Sequence, residues 1–469
     1  MQVQGSALRS GTKFRRSTNQ QPSQKKQTKS QRKEPKKAAD RKNSDLHYKT
    51  IQIQKHQDSQ QVGGKKDCAY SPRSEGAQFP HKQTHPDQPK KVIKMSKKFI
   101  LAGGGTAGHI NPALAIISII KDHLPDAQFL YVGTPKGMEA KLVPMEKIDF
   151  APMSVSGFQR KITPENIGRN IKAVTQLALS VPRAAKIIKD FAPDMVIGTG
   201  GYVSGPIVRE AQVRKIPTLV HEQNAYPGAT TRMLAKKART VMLTMGEAKN
   251  YIKEGANCVV TGLPVRKGFA KLPDRAAAKR ELGLDENALC IFSWGGSLGA
   301  GAINDSALAL IKWERECGQK MSHIHSYGKM GHDTFEKSLS DAGIDPSSEG
   351  LIIKEYIHNM DTCTAAADLI ICRSGASAIT ELEAAGRASI LIPSPIVAGN
   401  HQYHNAMVLG NAGAAKVIEQ KDLTDELILD TVKELISSPD RIRELEEKAH
   451  GVFVPDTNDR IWAEIEKNL

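Results

Sequence analysis

Nothing in this 469-residue chain looks built to cross a membrane or to be stapled by disulfides. No apolar run approaches the ~20 residues a membrane span needs, and the first 30 residues contain no apolar core of a secretory signal. The six cysteines, Cys68, Cys258, Cys290, Cys317, Cys363 and Cys372, are scattered without C-x-x-C spacing, so they are expected as free thiols in the cytoplasm. Acidic residues are scarce in one place only: residues 1–94 carry 7 Asp/Glu against 22 Lys/Arg, a net of +15. The whole chain is +16, so the 375 residues that follow hold only +1. That front stretch, with QPSQKKQTKSQRKEPKKAADRKN as a sample, is poor in aliphatic residues and cannot bury enough apolar surface to offset its chain entropy. It is expected to be a disordered polybasic tail, with anionic lipid or nucleic acid as its natural ligands. Met95 opens MSKKFILAGGG, which also reads as a natural start, so an over-extended reading frame stands beside the tail. The nearly neutral body has no aromatic–basic stacking motif, and no nucleic-acid partner is expected for it.

What the body does hold is alternation. KKFILAGGG, AQFLYVGT, DMVIGTGG, IPTLVHEQN, TVMLT and NCVVTGLP each read as a buried strand ending in a turn. Helical stretches such as NPALAIISIIKDHL and VPRAAKIIKDFA lie between them. This predicts an α/β fold with helices on both faces of a parallel sheet. The plan restarts at CIFSWGGSLGAGAINDSALALI (Cys290–Ile311), followed by LIIKEYI, ADLIICRSG and ASILIP as further strands. Gly104 and Gly295, in matching turns, are 191 positions apart, about one domain length. Two Rossmann-like domains are expected, over residues 95–262 and 263–450, joined near TGLPVRKGF. A last helix within 451–469 is free to pack back on either, the N-terminal domain included. Ligands of such sheets bind beyond the carboxyl ends of the strands, so two facing domains would enclose a cleft.

Glycine turns mark that side of both sheets: GGGTAGH (103–109), GTGGYVSG (198–205), GGSLGAG (295–301) and CRSGASAITE (372–381). Such turns bring backbone close to a ligand, and the helix that follows offers free N–H groups to an anion. Gly103, Gly105 and Gly108 satisfy the dinucleotide fingerprint G-x-G-x-x-G, which also calls for an acid ~20 residues on to hold a ribose. Here the second strand, FLYVGT, ends in Gly133 and Thr134, and the first acid after it is Glu139. The incomplete fingerprint counts against a dehydrogenase. In the second half, Glu381 lies near a helix start, where it serves as a plain charge–dipole contact or as an acceptor for a ribose diol. Arg266 is either a solvated linker arginine or a phosphate partner. His401 and His404 form H-x-x-H, but no Cys or carboxylate completes a ligand set, so no metal site is expected.

Taken in order, GGGTAGHINPALA, GTGGYVSGP, HEQNAYPG, TGLPVR, GGSLGA, CRSGASAITELEAAG and NHQYHNA resemble the MurG family. Its members are bacterial UDP-N-acetylglucosamine:undecaprenyl-pyrophosphoryl-MurNAc-pentapeptide transferases. The resemblance covers residues 98–469 and implies a GT-B fold, two Rossmann-like domains facing a central cleft. It implies transfer of N-acetylglucosamine from UDP to the 4-hydroxyl of the muramoyl sugar of lipid I, with inversion and without a cofactor. The nucleotide-sugar contacts it implies fall on Thr106, Ala107 and Gly108, then on Asn224, Arg266 and Ser297. Ile357 matches a residue whose backbone meets the uracil. Ala376, Ser377, Ala378, Ile379, Thr380 and Glu381 match the pyrophosphate and ribose loop, and Gln402 a sugar contact. Ala107 departs from the commoner glycine, which matters if the turn needs positive φ there.

Inverting transfer needs a base for the acceptor hydroxyl, and the resemblance puts His109 beside the turn that would hold the acceptor diphosphate. A neutral imidazole suits that task; Glu222 or a bound water is the alternative. Helix N-termini and Arg266 would stabilise the leaving diphosphate, and the chain has no D-x-D motif of the metal-holding kind. A polyprenyl acceptor also requires a peripheral enzyme on the cytoplasmic face of the membrane. The stretch 157–189, with Arg160, Lys161, Arg169, Lys172, Arg183, Lys186 and Lys189 among Ile, Leu and Val, is expected as a basic amphipathic helix pair for an anionic bilayer surface. The rival activities are a diacylglycerol sugar transferase and a UDP-sugar epimerase of the same fold.

Overall fold

The computed structural model describes residues 96–157 and 163–469. The basic stretch 1–94 and, in the expected membrane-facing segment, Arg160 and Lys161 lie outside the described residues.

Runs such as KFILAG, MVIGTG and TLVHE are buried almost end to end, the pattern of strands covered on both faces. The first sheet comprises β1 (Lys98–Gly103), β2 (Gln128–Gly133), β3 (Asp149–Pro152), β4 (Met195–Gly200), β5 (Thr218–Glu222), β6 (Thr240–Leu243) and β7 (Cys258–Val260). Their spatial order is β3-β2-β1-β4-β5-β6-β7, with every pairing parallel. The second sheet comprises β8 (Leu289–Trp294), β9 (Met321–Ser326), β10 (Leu351–Lys354), β11 (Leu369–Cys372), β12 (Ser389–Leu391) and β13 (Lys416–Val417). It runs β10-β9-β8-β11-β12-β13, again parallel throughout. The expected pair of Rossmann-like sheets is therefore present. Each sheet reverses its order once, between β1 and β4 and between β8 and β11, and sites form at such reversals.

Separate apolar clusters cover the two faces of each sheet. The helix Thr457–Glu466 places Ile461 and Ile465 in the cluster of Ile116 and Ile120 on the first sheet. There His123 stacks on Trp462 at 4.2 Å, and Thr240 Oγ1 donates to Glu464 Oε2 at 2.8 Å.

The segment expected as a helix pair is one helix, Pro164–Phe191, with Pro182 inside it. Ala173 and, beyond the proline, Ala184, Ile187 and Ile188 are buried, the last three in the cluster of Val203 and Ile207. Buried residues on both sides of Pro182 accompany a helix that continues through it, although proline removes a backbone donor there.

Ala225 and Met245, from the first half of the chain, join the core cluster of the second sheet. Glu383, buried in the helix Ala376–Ala385, has its pKa pushed from 4.5 up to about 8, by burial first and by the charge of Glu247 second. A raised carboxyl pKa means the native state binds the extra proton, so this stability is full below 4.5 and is lost as pH rises through 8. Glu383→Gln should leave thermal stability unchanged at acid pH and raise it by about 2–4 kcal/mol at pH ~9, as read by calorimetry across that window.

Candidate active site

At the reversal of the first sheet, Gly103 pairs with Gly200 across a one-residue irregularity, which sets the first two glycine turns side by side. Gly200 has φ +112° and Gly201 φ +75°, values that favour glycine. Space requires it as well: a Cβ on Gly200 would lie 2.6 Å from His109 Nδ1, and one on Gly201 2.4 Å from the Gly104 oxygen. The helix Ala107–His123 starts here, with Thr106 extended at its N-cap and no side chain capping it. The N–H groups of His109 and Ile110 donate to the Thr106 oxygen at 3.1 and 3.3 Å, which leaves those of Ala107 and Gly108 without intrahelical acceptors, an arrangement that suits an anion. Ala107 opens the helix, exposed and outside the residues with positive φ, so its methyl introduces no backbone strain.

Glu139, the acid that follows β2, braces this turn. It is buried and accepts from Thr134 Oγ1 at 2.6 Å, Thr134 N at 2.9 Å and Gly105 N at 3.4 Å. Burial works to raise its pKa, but the Thr134 hydroxyl and the backbone N–H groups outweigh that and lower it.

His109 is half-buried, with Nδ1 3.0 Å from Gln223 Oε1. Gln223 Nε2 lies 3.0 Å from both Nδ1 and the carbonyl oxygen of His221, and His221 Nε2 lies 3.1 Å from the Gly262 oxygen. Burial pushes the His221 imidazole down to about 4, against weaker opposition from the Gly262 carbonyl and Glu222, so it is neutral at physiological pH. Glu222, the alternative base, is committed to its own turn. Its Oε1 accepts from Asn224 N and Nδ2 at 3.1 and 3.2 Å, and its Oε2 from Gly228 N at 3.0 Å.

In the second sheet, Trp294 pairs with Cys372 at the ends of β8 and β11, so the other two glycine turns adjoin. Ser297 is exposed in one of them. In the other, the helix Ala376–Ala385 follows Gly375 at its N-cap. Ser377 is exposed and Ala376 and Ala378 half-buried, whereas Ile379 and Thr380 face the interior, Thr380 Oγ1 donating to the Ala376 oxygen at 3.1 Å. Ligand contact from this stretch is thus left to backbone N–H groups, Ser377 and Glu381. Arg266 Nε and Nη2 both donate to the Glu381 carboxylate, at 2.6 and 2.8 Å, and the guanidinium lies over Phe269. Burial raises the Glu381 pKa and Arg266 opposes the rise. The side chain of Ile357 is in the core, which leaves only its backbone to a ligand. Gln402 Oε1 accepts from Ser394 N at 2.9 Å, and its carbonyl from Ser374 Oγ at 2.8 Å.

Asn405 ties these groups to the first sheet. Fully buried on the helix His401–Asn411, it accepts from Ala225 N at 2.9 Å and donates to Asn224 Oδ1 and the Ser374 oxygen, each at 3.1 Å. Tyr226 stacks on His404 at 4.9 Å. The pKa of His401 is lowered by burial and then by His109 and His404, and its buried Nδ1 has no hydrogen-bond partner among the described residues. Of the H-x-x-H pair, His401 is thus within electrostatic reach of His109, while His404 packs against Tyr226 and Tyr251. Gln223, His221, Glu139 and Asn405 carried no assignment from sequence. Gln223 and Asn405 stood inside the quoted motifs HEQN and NHQYHNA, but nothing in spacing tells a brace from a ligand contact.

Residues 99–243 match the model of the glycosyltransferase family 28 N-terminal domain, and residues 290–461 that of its C-terminal domain. A UDP-N-acetylglucosamine--N-acetylmuramyl-(pentapeptide) pyrophosphoryl-undecaprenol N-acetylglucosamine transferase of Acetivibrio thermocellus is 39% identical, over 79% of this chain and 98% of its own. The enzyme of the same name from Desulforamulus reducens is also 39% identical, again over 79% of this chain and 98% of its own. The chain belongs to the MurG family.

The crystal structure of Acinetobacter baumannii MurG superposes on this MurG-family chain with TM-score 0.65 at 27% identity, covering 79% of the chain and 99% of that structure. A UDP-GlcNAc 2-epimerase from Neisseria meningitidis reaches TM-score 0.51 at 14% identity, over 79% of this chain and 100% of its own, a likeness of fold alone. The resemblance implies nucleotide-sugar contacts for Arg266 and Glu381, and the structure brings these two side chains together. A carboxylate on a vicinal diol makes two charge-assisted bonds, so Glu381→Gln is expected to raise KM for UDP-N-acetylglucosamine roughly 10- to 100-fold with a smaller change in kcat, by steady-state kinetics.

Proposed function

We propose that this chain transfers N-acetylglucosamine from UDP-N-acetylglucosamine to the muramoyl 4-hydroxyl of lipid I, making lipid II with inversion, and that His109 takes the acceptor proton. The observation that carries the residue-level reading is the setting of His109. It stands at the start of an anion-suited helix, its Nδ1 held by Gln223, while the carboxylate of Glu222 is committed to backbone. The acceptor hydroxyl attacks C1 of the sugar as the bond from C1 to the UDP β-phosphate oxygen breaks. The proton passes to the imidazole and the electron pair leaves with UDP. Charge then grows on the diphosphate, facing the N–H groups at the start of the helix Ala376–Ala385 and Arg266. Inversion follows from attack on the face opposite the leaving group, through an oxocarbenium-like transition state. Thr106, Ala107 and Gly108, with Asn224, Ser297, the Ile357 backbone and Gln402, complete the contacts to the nucleotide sugar.

The acceptor is anchored in lipid, so the enzyme works at the inner membrane's cytoplasmic face. Among the described residues no helix is long and apolar enough to cross a membrane. The helix Pro164–Phe191 instead exposes Ile167, Ile171, Val174, Leu177 and Val181 at spacings of three or four residues, with Arg169, Lys172, Arg183, Lys186 and Lys189 on the same helix. Such a helix can lie in an anionic interface. As a source of lipid II, the activity serves wall synthesis, and through it cell shape and division.

The test is UDP release from UDP-N-acetylglucosamine by the purified chain, with and without a short-chain lipid I analogue. Acceptor-dependent release with a β-linked disaccharide product is expected. Release without acceptor, or conversion to an epimeric UDP-sugar, would replace this reading with an epimerase.

A further inference from the structure

We infer that Gln223 and His221 are positioning residues that hold the proton of His109 on Nδ1 and so keep Nε2 as the lone pair facing the acceptor hydroxyl. This rests on the reading of His109 as base.

The geometry forces each step, beginning at the far end. The Gly262 oxygen only accepts, so His221, 3.1 Å away, carries its proton on Nε2. His221 is buried and neutral, so its Nδ1 is a bare acceptor. Gln223 meets that Nδ1 and, at the same 3.0 Å, the His221 carbonyl oxygen. Both are acceptors, which makes the NH2 end of the amide face His221 on two independent grounds. Oε1 must then face His109, and an amide oxygen accepts only, so His109 Nδ1 donates. Turning the amide over would set its oxygen against two acceptors and its NH2 against the Nδ1–H of His109. Because Gln223 is 2% exposed and His221 0%, water cannot relieve that mismatch, and the reversed state is strongly disfavoured.

Free histidine prefers its proton on Nε2, the nitrogen needed here as base, so the relay reverses an intrinsic preference. No carboxylate takes the orienting part that an acid plays in a Ser-His-Asp arrangement. His401, whose pKa is lowered by burial and then by His109, is electrostatically coupled to it, and Glu222 is committed to Asn224 and Gly228. A neutral amide fixes the tautomer without the carboxylate's extra stabilisation of imidazolium. The relay also ends on the backbone of the segment that joins the two halves of the chain. Gly262, at φ +79°, would place a Cβ 2.3 Å from Thr457 Oγ1, so that carbonyl is itself held in place by tertiary packing.

The test uses the full chain with UDP-N-acetylglucosamine and a short-chain lipid I analogue. Gln223→Leu should lower kcat by about 100-fold or more, with KM for the sugar nucleotide within about threefold. Gln223→Glu keeps an acceptor for Nδ1–H but sets its second oxygen against the two His221 acceptors, so it should recover only part of that rate, with the acid limb of the kcat/KM profile moved up by about one pH unit because the carboxylate favours imidazolium. Nitrogen NMR on histidine-labelled wild type, with His109 assigned by difference against His109→Gln, reads the tautomer without turnover; a protonated Nδ1 and bare Nε2 are expected. A proton on Nε2, or a folded Gln223→Leu protein with wild-type kcat and an unmoved pH profile, would overturn the relay. A protonated Nδ1 together with full activity in His109→Ala would leave the relay standing and remove the base.

Discussion

Replacing His109 by alanine is expected to lower kcat about 10³-fold, a loss of roughly 4 kcal/mol of transition-state stabilisation, while KM for UDP-N-acetylglucosamine changes little. The imidazole stands in the first turn of its helix, with Nδ1 on Gln223 and no side chain capping the helix start. Removing it deletes the proposed proton acceptor but none of the groups in the second half of the chain that are proposed to hold the nucleotide. The acid limb of the kcat/KM profile should disappear with it. Glu222→Gln separates the two candidate bases. Both oxygens of Glu222 already accept from its own turn, including two backbone N–H groups, so that variant should lose stability and keep the pH profile. Stopped assays of UDP release at several pH values decide the matter. A His109→Ala protein within tenfold of wild type at pH ~8 would hand the role to another group.

Gly200→Ala should be nearly as damaging by a different route. At φ +112° the alanine is strained, and its methyl would stand 2.6 Å from Nδ1 and 2.7 Å from Cε1 of His109. Either the β4 turn or the imidazole must move, and moving the ring breaks its bond to Gln223. A stability loss of about 2–4 kcal/mol is expected, together with about 100-fold in kcat from misplacement of the base. Gly105→Ala is the control. It shares a positive φ, +87°, but its Cβ would meet nothing within 4 Å, so only the backbone strain should appear and the rate should fall far less. Chemical unfolding and steady-state kinetics on the two variants separate strain from collision. Equal rates in both would show that the contact with His109 is not what Gly200 protects.

Much of the fold was legible because apolar runs of four to six residues ending in glycine turns leave little choice but buried parallel strands. The strands that escaped are instructive. β9, MSHIHS, alternates Ser and His with apolar residues and reads as polar, yet His323 and His325 are fully buried. Ser293 Oγ lies 2.8 Å from His323 and 2.7 Å from His325 Nδ1, and Glu314 2.8 Å from His323, partners on other elements that no local pattern reveals; His325 Nε2 has no partner among the described residues. β13 has two residues, too short for any pattern to register, and β3, DFAP, carries Asp149 and Pro152 at its ends instead of an apolar run. The expected helix pair is one continuous helix, because basic and aliphatic residue types do not reveal where a helix ends.

From the sequence alone came the two repeated strand–turn–helix halves, the glycine turns at their carboxyl ends, the ordered motifs of the family and His109 as the residue to ask about. These are local properties, carried by residue type and spacing. Tertiary structure alone decided which way the histidine faces its chemistry. The register of β1 against β4 brings Gly200 under the imidazole, and burial makes Gln223 and His221 a relay with one workable proton arrangement. The reason is that hydrogen-bond direction depends on which acceptors meet in space: the Gly262 oxygen, 41 residues from His221 in the chain, helps determine where the proton of His109 sits.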